Sequence, residues 1–336
     1  MCSEFIFHFI DMSQGTYIYK DLDPKSEKIL SETFTSQFRK NNVKYEGFFF
    51  SQTIKNFADA IRKMEIRDDD IWVCTFPKAG TTWTQEMVWC LANGQDHRAV
   101  QKHINQRFPF FEFSTLIDFA DTEFPVPVNS VEDVEKLASP RFIKTHLPFN
   151  LLPEKLQNFS TNAKVIHVLR NPRDTLISYY HHYRTGHDYK GSFSQFAELF
   201  LKGLVYFGPF PAHLKGYLAH EKNPKILFLK YEEMQKDLKS VIHKTANFIG
   251  KSISEREMEK LLDHLSFSSM KQNPAVNYAL SLEMRKKLNL ISEDDGHFMR
   301  RGIVGDWKEN LNSELREKFQ KWEEETMSGI HFTFSA

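Results

Sequence analysis

The sequence predicts an α/β protein, a single domain with a central parallel β-sheet flanked by helices and a P-loop-like phosphate-binding turn. Three observations carry that prediction. Short apolar, β-rich runs (Ile71 to Phe76, Val165 to Leu169 and Ile226 to Leu229) alternate with amphipathic stretches of helical spacing, the pattern of strands buried on both faces. The turn Pro77-Lys78-Ala79-Gly80-Thr81-Thr82 joins the first run to a helix, so free backbone N–H groups and the helix dipole meet at one spot. The polar clusters after these runs and at the end of the strand Arg141 to His146 sit at carboxyl ends of strands, where open parallel sheets bind ligands.

The 336 residues are 41% hydrophobic and 14% aromatic, enough for a sizeable core, and the 31 phenylalanines point to an apolar pocket. Lysine plus arginine and aspartate plus glutamate number 44 each. A nucleic-acid binder normally carries a basic surplus, so nucleic acid is not an expected partner. Cys2, Cys74 and Cys90 have neither zinc spacing nor the even count of a disulfide framework. The apolar start, Phe5 to Ile10, is short and flanked by Glu4 and Asp11, unlike a signal peptide. No run reaches the length of a membrane span. A cytoplasmic protein is expected, and the sequon at Asn158 is read as chance.

Residues 1–45 are polar and mixed, and read as a loosely docked N-terminal arm before a domain over residues 46–336. Val43 to Ser51, with Phe48, either folds over an apolar ligand or forms a satellite cluster. Ile54 to Lys63 has helical spacing. The run Ile71 to Phe76 is the first strand, and Trp83, Met87, Val88 and Leu91 mark the helix behind it. Residues 92–140 read mainly as connection, and long connections are often functional. Their phenylalanines, among them Phe110 and Phe113, either line an acceptor pocket or pack beneath a loop.

Arg141 to His146 begins as a strand that Leu147-Pro148 ends. Val165 to Leu169 empties into Arg170-Asn171-Pro172-Arg173-Asp174, where Pro172 starts a helix. Ile226 to Leu229 is a fourth strand, ending at Lys230-Tyr231-Glu232-Glu233. Helices are expected over Phe193 to Lys202, His213 to Glu221, Met234 to Ile249, Glu255 to Leu265 and Asn312 to Thr326. The arginines and glycines of Arg300-Arg301-Gly302-Ile303-Val304-Gly305 read as a flexible loop able to close over an anion.

The candidate chemistry follows from residue type. Lys78 adds a full charge to the turn, and Thr81 and Thr82 add donors, which makes a phosphate site. It is not a Walker loop, because Lys78 precedes Gly80 rather than following a last glycine. Lys144 and His146 are two residues apart on a strand end, so both side chains face one side, a cation beside a general base. Arg170 and Ser178 set a guanidinium and a hydroxyl at a helix start, a fork for phosphate. His181, His182 and His187 lack a third ligand in pattern, so no metal site is expected.

Four segments together resemble the cytosolic sulfotransferase family. They are Thr75 to Trp83, Lys144 to Pro148, Arg170 to Asp174 with Ser178 to His181, and Arg300-Arg301-Gly302 with Gly305 to Lys308. They stand in the family's order and span roughly Asp70 to Lys308, and Pro109-Phe110-Phe111-Glu112-Phe113 looks most like arthropod members. The resemblance implies transfer of sulfonate from 3′-phosphoadenosine 5′-phosphosulfate (PAPS) to a hydroxyl, leaving adenosine 3′,5′-bisphosphate (PAP), with no metal. The turn Lys78-Ala79-Gly80-Thr81-Thr82 is then expected to hold the 5′-phosphosulfate, Trp83 to stack on adenine, and Tyr231 and Phe267 to contact the base. Arg170, Ser178, Arg300, Arg301 and Gly302 are expected at the 3′-phosphate, His146 as base, and Lys78 and Lys144 at the sulfonate. Phe48, Phe110, Phe113 and Tyr183, with His146, are the candidate acceptor pocket for a small, mainly apolar hydroxyl compound.

Two departures from the family pattern stand out. Leu265 replaces a usual threonine near the base. Asn312-Ser313 interrupts the dimer segment Lys-x-x-x-Thr-Val-x-x-x-Glu, of which Lys308 and Glu317 keep the ends, so a homodimer is left open. The alternatives are dehydration of an allylic alcohol through a transient sulfonate ester, as in retinol dehydratase, and a module that binds apolar ligands without turnover.

Overall fold

The computed structural model describes residues 17–34, 41–94, 100–116, 129–292 and 296–330. Two sheets form it. A three-stranded antiparallel sheet joins β1 (Tyr19–Asp21), β2 (Asn42–Tyr45) and β3 (Phe48–Ser51). The main sheet has four strands, β4 (Ile71–Thr75), β5 (Phe142–Thr145), β6 (Lys164–Leu169) and β7 (Ile226–Lys230), all parallel in the order β5-β4-β6-β7. The longer helices are α1 (Pro24–Thr33), α2 (Thr81–Asn93), α3 (Pro172–Gly186), α4 (Phe193–Leu201), α5 (Phe210–Leu218), α6 (Leu238–Ile249), α7 (Glu255–His264), α8 (Ala279–Lys287) and α9 (Ser313–Thr326).

β4 is buried along its whole length, and its side chains alternate between two cores, as the two-residue period of a strand requires. Trp72, Cys74 and Phe76 enter one core with the aromatic residues of α3, α4 and α9. Ile71 and Val73 enter the other, with Met87, Val88 and Leu91 of α2 and Val241, Ile242 and Ala246 of α6. β5 and β6 lie on opposite sides of β4, so the chain reverses its direction of growth there, and the crevice beyond the strand ends opens between β4 and β6.

Several elements differ from the sequence expectation for local reasons. The helix expected over Met234 to Ile249 breaks at Asp237, whose side chain accepts from Ser240 N and caps α6, the role short acidic side chains favour over helix interiors. α5 begins at Phe210 rather than His213 because Pro211 sits in its first turn. From Tyr17 onward the segment expected as an arm holds β1, α1 and β2, and Leu30, Val43 and Tyr45 are buried in the first core. The division expected at residue 45 falls in the turn between β2 and β3, which pair Asn42 with Ser51. Residues 95–99 and 117–128 of the long connection lie outside the described residues. Lys308 and Glu317 are both exposed. Among the described residues, no helix is long and apolar enough to cross a membrane.

Candidate active site

Every strand of the main sheet delivers a polar residue at its carboxyl end: the Lys78 turn after β4, His146 after β5, Arg170 after β6 and Tyr231 after β7. They line one cleft of about 470 Å³. The cleft takes in all the residues expected at the donor except Ala79, which is buried in the turn itself. Its other half is lined by Phe110, Phe113, Leu116 and Phe207, with His146 between the two halves.

The turn is built for close approach. Lys78 has φ +67° and Gly80 has φ +109°, both in the left-handed region that side chains disfavour. A Cβ on Gly80 would lie 2.9 Å from Cδ2 of Tyr231, so glycine is required by contact as well as by backbone angle. Thr84 N bonds Gly80 O at 3.1 Å, which starts α2 with its first N–H groups turned toward the cleft. Trp83 stands edge-on to Tyr231, with ring centroids 5.8 Å apart, and its Nε1 donates to the carbonyl of Leu265 at 2.9 Å. The replacement of threonine at 265 therefore leaves this contact intact, because it uses backbone.

Arg170 is fixed from two sides. Its Nη1 donates to Lys78 O at 2.8 Å, and its guanidinium lies over the Tyr231 ring at 4.1 Å. Among the described residues its Nε is buried without a partner, a donor left over for a ligand. Arg300 and Arg301 both pair with the buried Asp306, Arg301 at 2.7 Å, and Arg301 also reaches Glu309 at 2.8 Å. Asp174 of α3 holds this loop by accepting from Gly305 N at 2.8 Å and Trp307 N at 3.0 Å. Gln235 donates to Gly302 O at 2.8 Å. Gly302, at φ +62°, packs so closely on Phe267 that a Cβ would fall 2.3 Å from the ring.

His146 has one ring nitrogen committed. Nδ1 lies 2.8 Å from Thr75 O. A carbonyl only accepts, so Nδ1 carries the proton and Nε2 keeps its lone pair. Burial pushes the ring well below its ordinary value, with the Lys144 charge adding to the effect, so the imidazole is neutral at pH 7. Thr75 Oγ1 also meets Thr81 Oγ1 at 2.6 Å, which ties β4 to the start of α2.

The two lysines face the cleft half-buried, each over an aromatic face: Lys78 Nζ is 3.9 Å from the Phe298 centroid and Lys144 Nζ 3.9 Å from that of Phe110. Desolvation, followed by the charges of Arg170, Lys144 and Arg300, brings Lys78 down to about 7. Desolvation brings Lys144 to about 8, against the opposing pull of Glu112. Cations held in this way gain most from an anion in the cleft.

The structure leaves two expected pocket residues outside the cleft. Phe48 is buried in the β2–β3 hairpin and packs into the first core. Tyr183 is buried, with its hydroxyl taken by Tyr206 N at 2.7 Å. Phe207 takes their place in the wall, and nothing in its local sequence marks it. Glu112 was quoted only as part of an aromatic motif; fully buried, it accepts from His146 N at 2.6 Å and Thr145 Oγ1 at 2.8 Å. A lone acid within a run of phenylalanines was the signal available. Among the described residues, the grouping of three metal-ligand side chains is Glu86, Cys90 and His264. None of them lines the cleft, and Glu86 is already bonded to Arg107 and His264.

Comparison with known proteins identifies relatives of the whole domain. The family model for the sulfotransferase domain matches residues 68–331. Luciferin sulfotransferase of Photinus pyralis is 44% identical over 82% of this chain and 76% of its own length. Sulfotransferase 1 family member D1 of Mus musculus is 36% identical over 84% and 92%. Among solved structures, retinol dehydratase in a complex with retinol and PAP superposes with a TM-score of 0.85 and 26% identity, covering 96% of this chain and 99% of that one.

Proposed function

The chain belongs to the sulfotransferase family, and on that premise we propose that it moves sulfonate from PAPS to the hydroxyl of a small, mainly apolar acceptor, with His146 as general base. One observation carries the reading: His146, neutral and with Nε2 free, stands where the lysine-rich half of the cleft meets the aromatic half. An alcohol is a poor nucleophile at neutral pH, and a positioned imidazole removes its proton as the new bond forms. The acceptor oxygen bonds to sulfur, the bond from sulfur to the 5′-phosphate oxygen breaks, and the hydroxyl proton goes to Nε2. Charge grows on the bridging oxygen, and PAP leaves. Lys78 and Lys144 are the cations assigned to that charge, each such contact being worth roughly 2.7–4 kcal/mol of barrier.

For the donor, we assign Arg170, Ser178, Arg300, Arg301 and Gly302 to the 3′-phosphate. The Nε of Arg170, buried and unpartnered among the described residues, supports this, as does the stacking of its guanidinium on Tyr231. Trp83, Tyr231 and Phe267 take the base. Phe110, Phe113 and Phe207 are the acceptor wall. A second outcome, dehydration of an allylic alcohol through a transient sulfonate ester, is favoured by the fold's likeness to retinol dehydratase.

Mass spectrometry after incubation with PAPS and a panel of phenols, sterols and allylic alcohols separates the readings. Gain of a sulfonate group with release of PAP is expected, and loss of water from an allylic alcohol alone would select the second reading. Retention of every acceptor unchanged, with no PAP formed, would leave only a binding protein.

A further inference from the structure

The catalytic end of β5 has an unusual support. β5 is an edge strand of the main sheet, and among the described residues only a short segment pairs with its outer side: Lys144 N donates to Pro109 O and Phe111 N to Lys144 O, each at 2.9 Å. Past Lys144 that ladder stops, yet His146 N is buried and needs an acceptor. The Glu112 carboxylate supplies it. Oε1 accepts from His146 N at 2.6 Å and Oε2 from Thr145 Oγ1 at 2.8 Å, and Thr145 Oγ1 in turn accepts from Leu147 N at 3.0 Å. Three consecutive residues thus hang on one side chain that is 0% exposed. Its sequence neighbours, Phe110 and Phe113, belong to the acceptor wall.

We propose that Glu112 is a positioning residue for sulfonate transfer: its carboxylate locks the acceptor wall to the strand end that carries His146, and its charge supports Lys144. The proposal rests on the reading of His146 as base and Lys144 as cation. A buried carboxylate is costly unless it is paired and hydrogen-bonded, and a neutral side chain would fill this space at lower cost. The charge therefore calls for a use, and Lys144 provides it. Burial raises the Glu112 carboxyl, opposed first by the hydrogen bonds from His146 N and Thr145 Oγ1 and then by the Lys144 charge, while burial depresses Lys144 against the pull of the Glu112 charge. Among the described residues, the other titratable groups around the pair are His146 on the same strand end, Lys78 from the turn, Cys74 of β4, His182 of α3, and His213 and Tyr217 of α5. None of these supplies a second carboxylate.

The test is Glu112→Gln, assayed beside the wild type with PAPS and one acceptor. The variant keeps size and one accepting oxygen but loses the charge. We expect kcat to fall about 10- to 100-fold, as for loss of a charge-assisted hydrogen bond, with KM for PAPS and the PAP-induced rise in melting temperature unchanged. We also expect the alkaline limb of kcat to move to lower pH, because Lys144 loses the charge that keeps it protonated. A merely structural role would leave that limb in place. Glu112→Asp retains the charge on a shorter arm, so its kcat should fall while its limb stays where the wild type has it, and it carries the test if Glu112→Gln does not fold. Wild-type kcat in Glu112→Gln, an unmoved limb, or a limb displaced in Glu112→Asp would each overturn the proposal. Absence of transfer by the wild type would overturn the functional reading and this inference together.

Discussion

His146 is useful because of what its neighbours deny it. Thr75 O takes the proton-bearing nitrogen, and burial with Lys144 nearby disfavours the imidazolium, so the ring stays neutral, as the proposed base must be. His146→Ala should lower kcat by about 10²-fold or more, the usual contribution of a positioned base, while PAP still raises the melting temperature as in the wild type. A base acts when deprotonated, so activity is lost as pH falls through its pKa. With that value held well below 6.5, the kcat/KM profile should show no acid limb near 6.5, and a limb there would contradict the assignment. Residue type made this site legible in the sequence: Lys144 and His146 two apart, Arg170 at a run's end, and paired arginines beside glycine. Glu112 and Phe207 were not legible in the same way. Their importance lies in contacts across 34 residues in one case and in a loop's path in the other, and no local pattern encodes either.

The β4 turn and the helix behind it form the element to which we assign donor binding. Thr75, Thr81 and Gly80 connect strand, helix and the Tyr231 ring within a few ångströms. Gly80→Ala asks a side chain to adopt φ +109° and to enter space held by Tyr231. Strain in such regions costs about 1–3 kcal/mol. PAP affinity measured by calorimetry should therefore fall by roughly tenfold or more, and wild-type affinity in the variant would show that the turn does not cradle the nucleotide. β4, β6 and β7 could be read ahead of the structure because parallel strands buried on both faces are written as largely unbroken apolar runs, and β5, whose Lys144 interrupts its run, through Leu147-Pro148 ending it. The antiparallel hairpin of β2 and β3 could not. Its strands are four residues each, and although β2 alternates in burial, β3 across the Glu46-Gly47 turn is buried throughout, so the pair is too short for a period of two to stand out. The break at Asp237 shows the converse, one capping residue overriding a long amphipathic stretch.

At the scale of the molecule, the account rests on convergence. Four strand ends, the helix after β4 and a loop some 130 residues beyond Arg170 meet in one cleft, to which we assign one doubly phosphorylated nucleotide. Arg170, Ser178, Arg300 and Arg301 are assigned to its 3′-phosphate, and cations gathered without their anion are costly. Hydrogen bonds to charged groups contribute about 1.5–3 kcal/mol each, so loss of two weakens binding on the order of a hundredfold or more. The most direct measurement is thermal denaturation with PAP and with adenosine 5′-phosphate at equal concentration, for the wild type and for Arg170→Ala. The account predicts a far larger rise in melting temperature with PAP, a difference that Arg170→Ala largely erases with little change for the monophosphate; equal stabilisation of the wild type by the two nucleotides would contradict it.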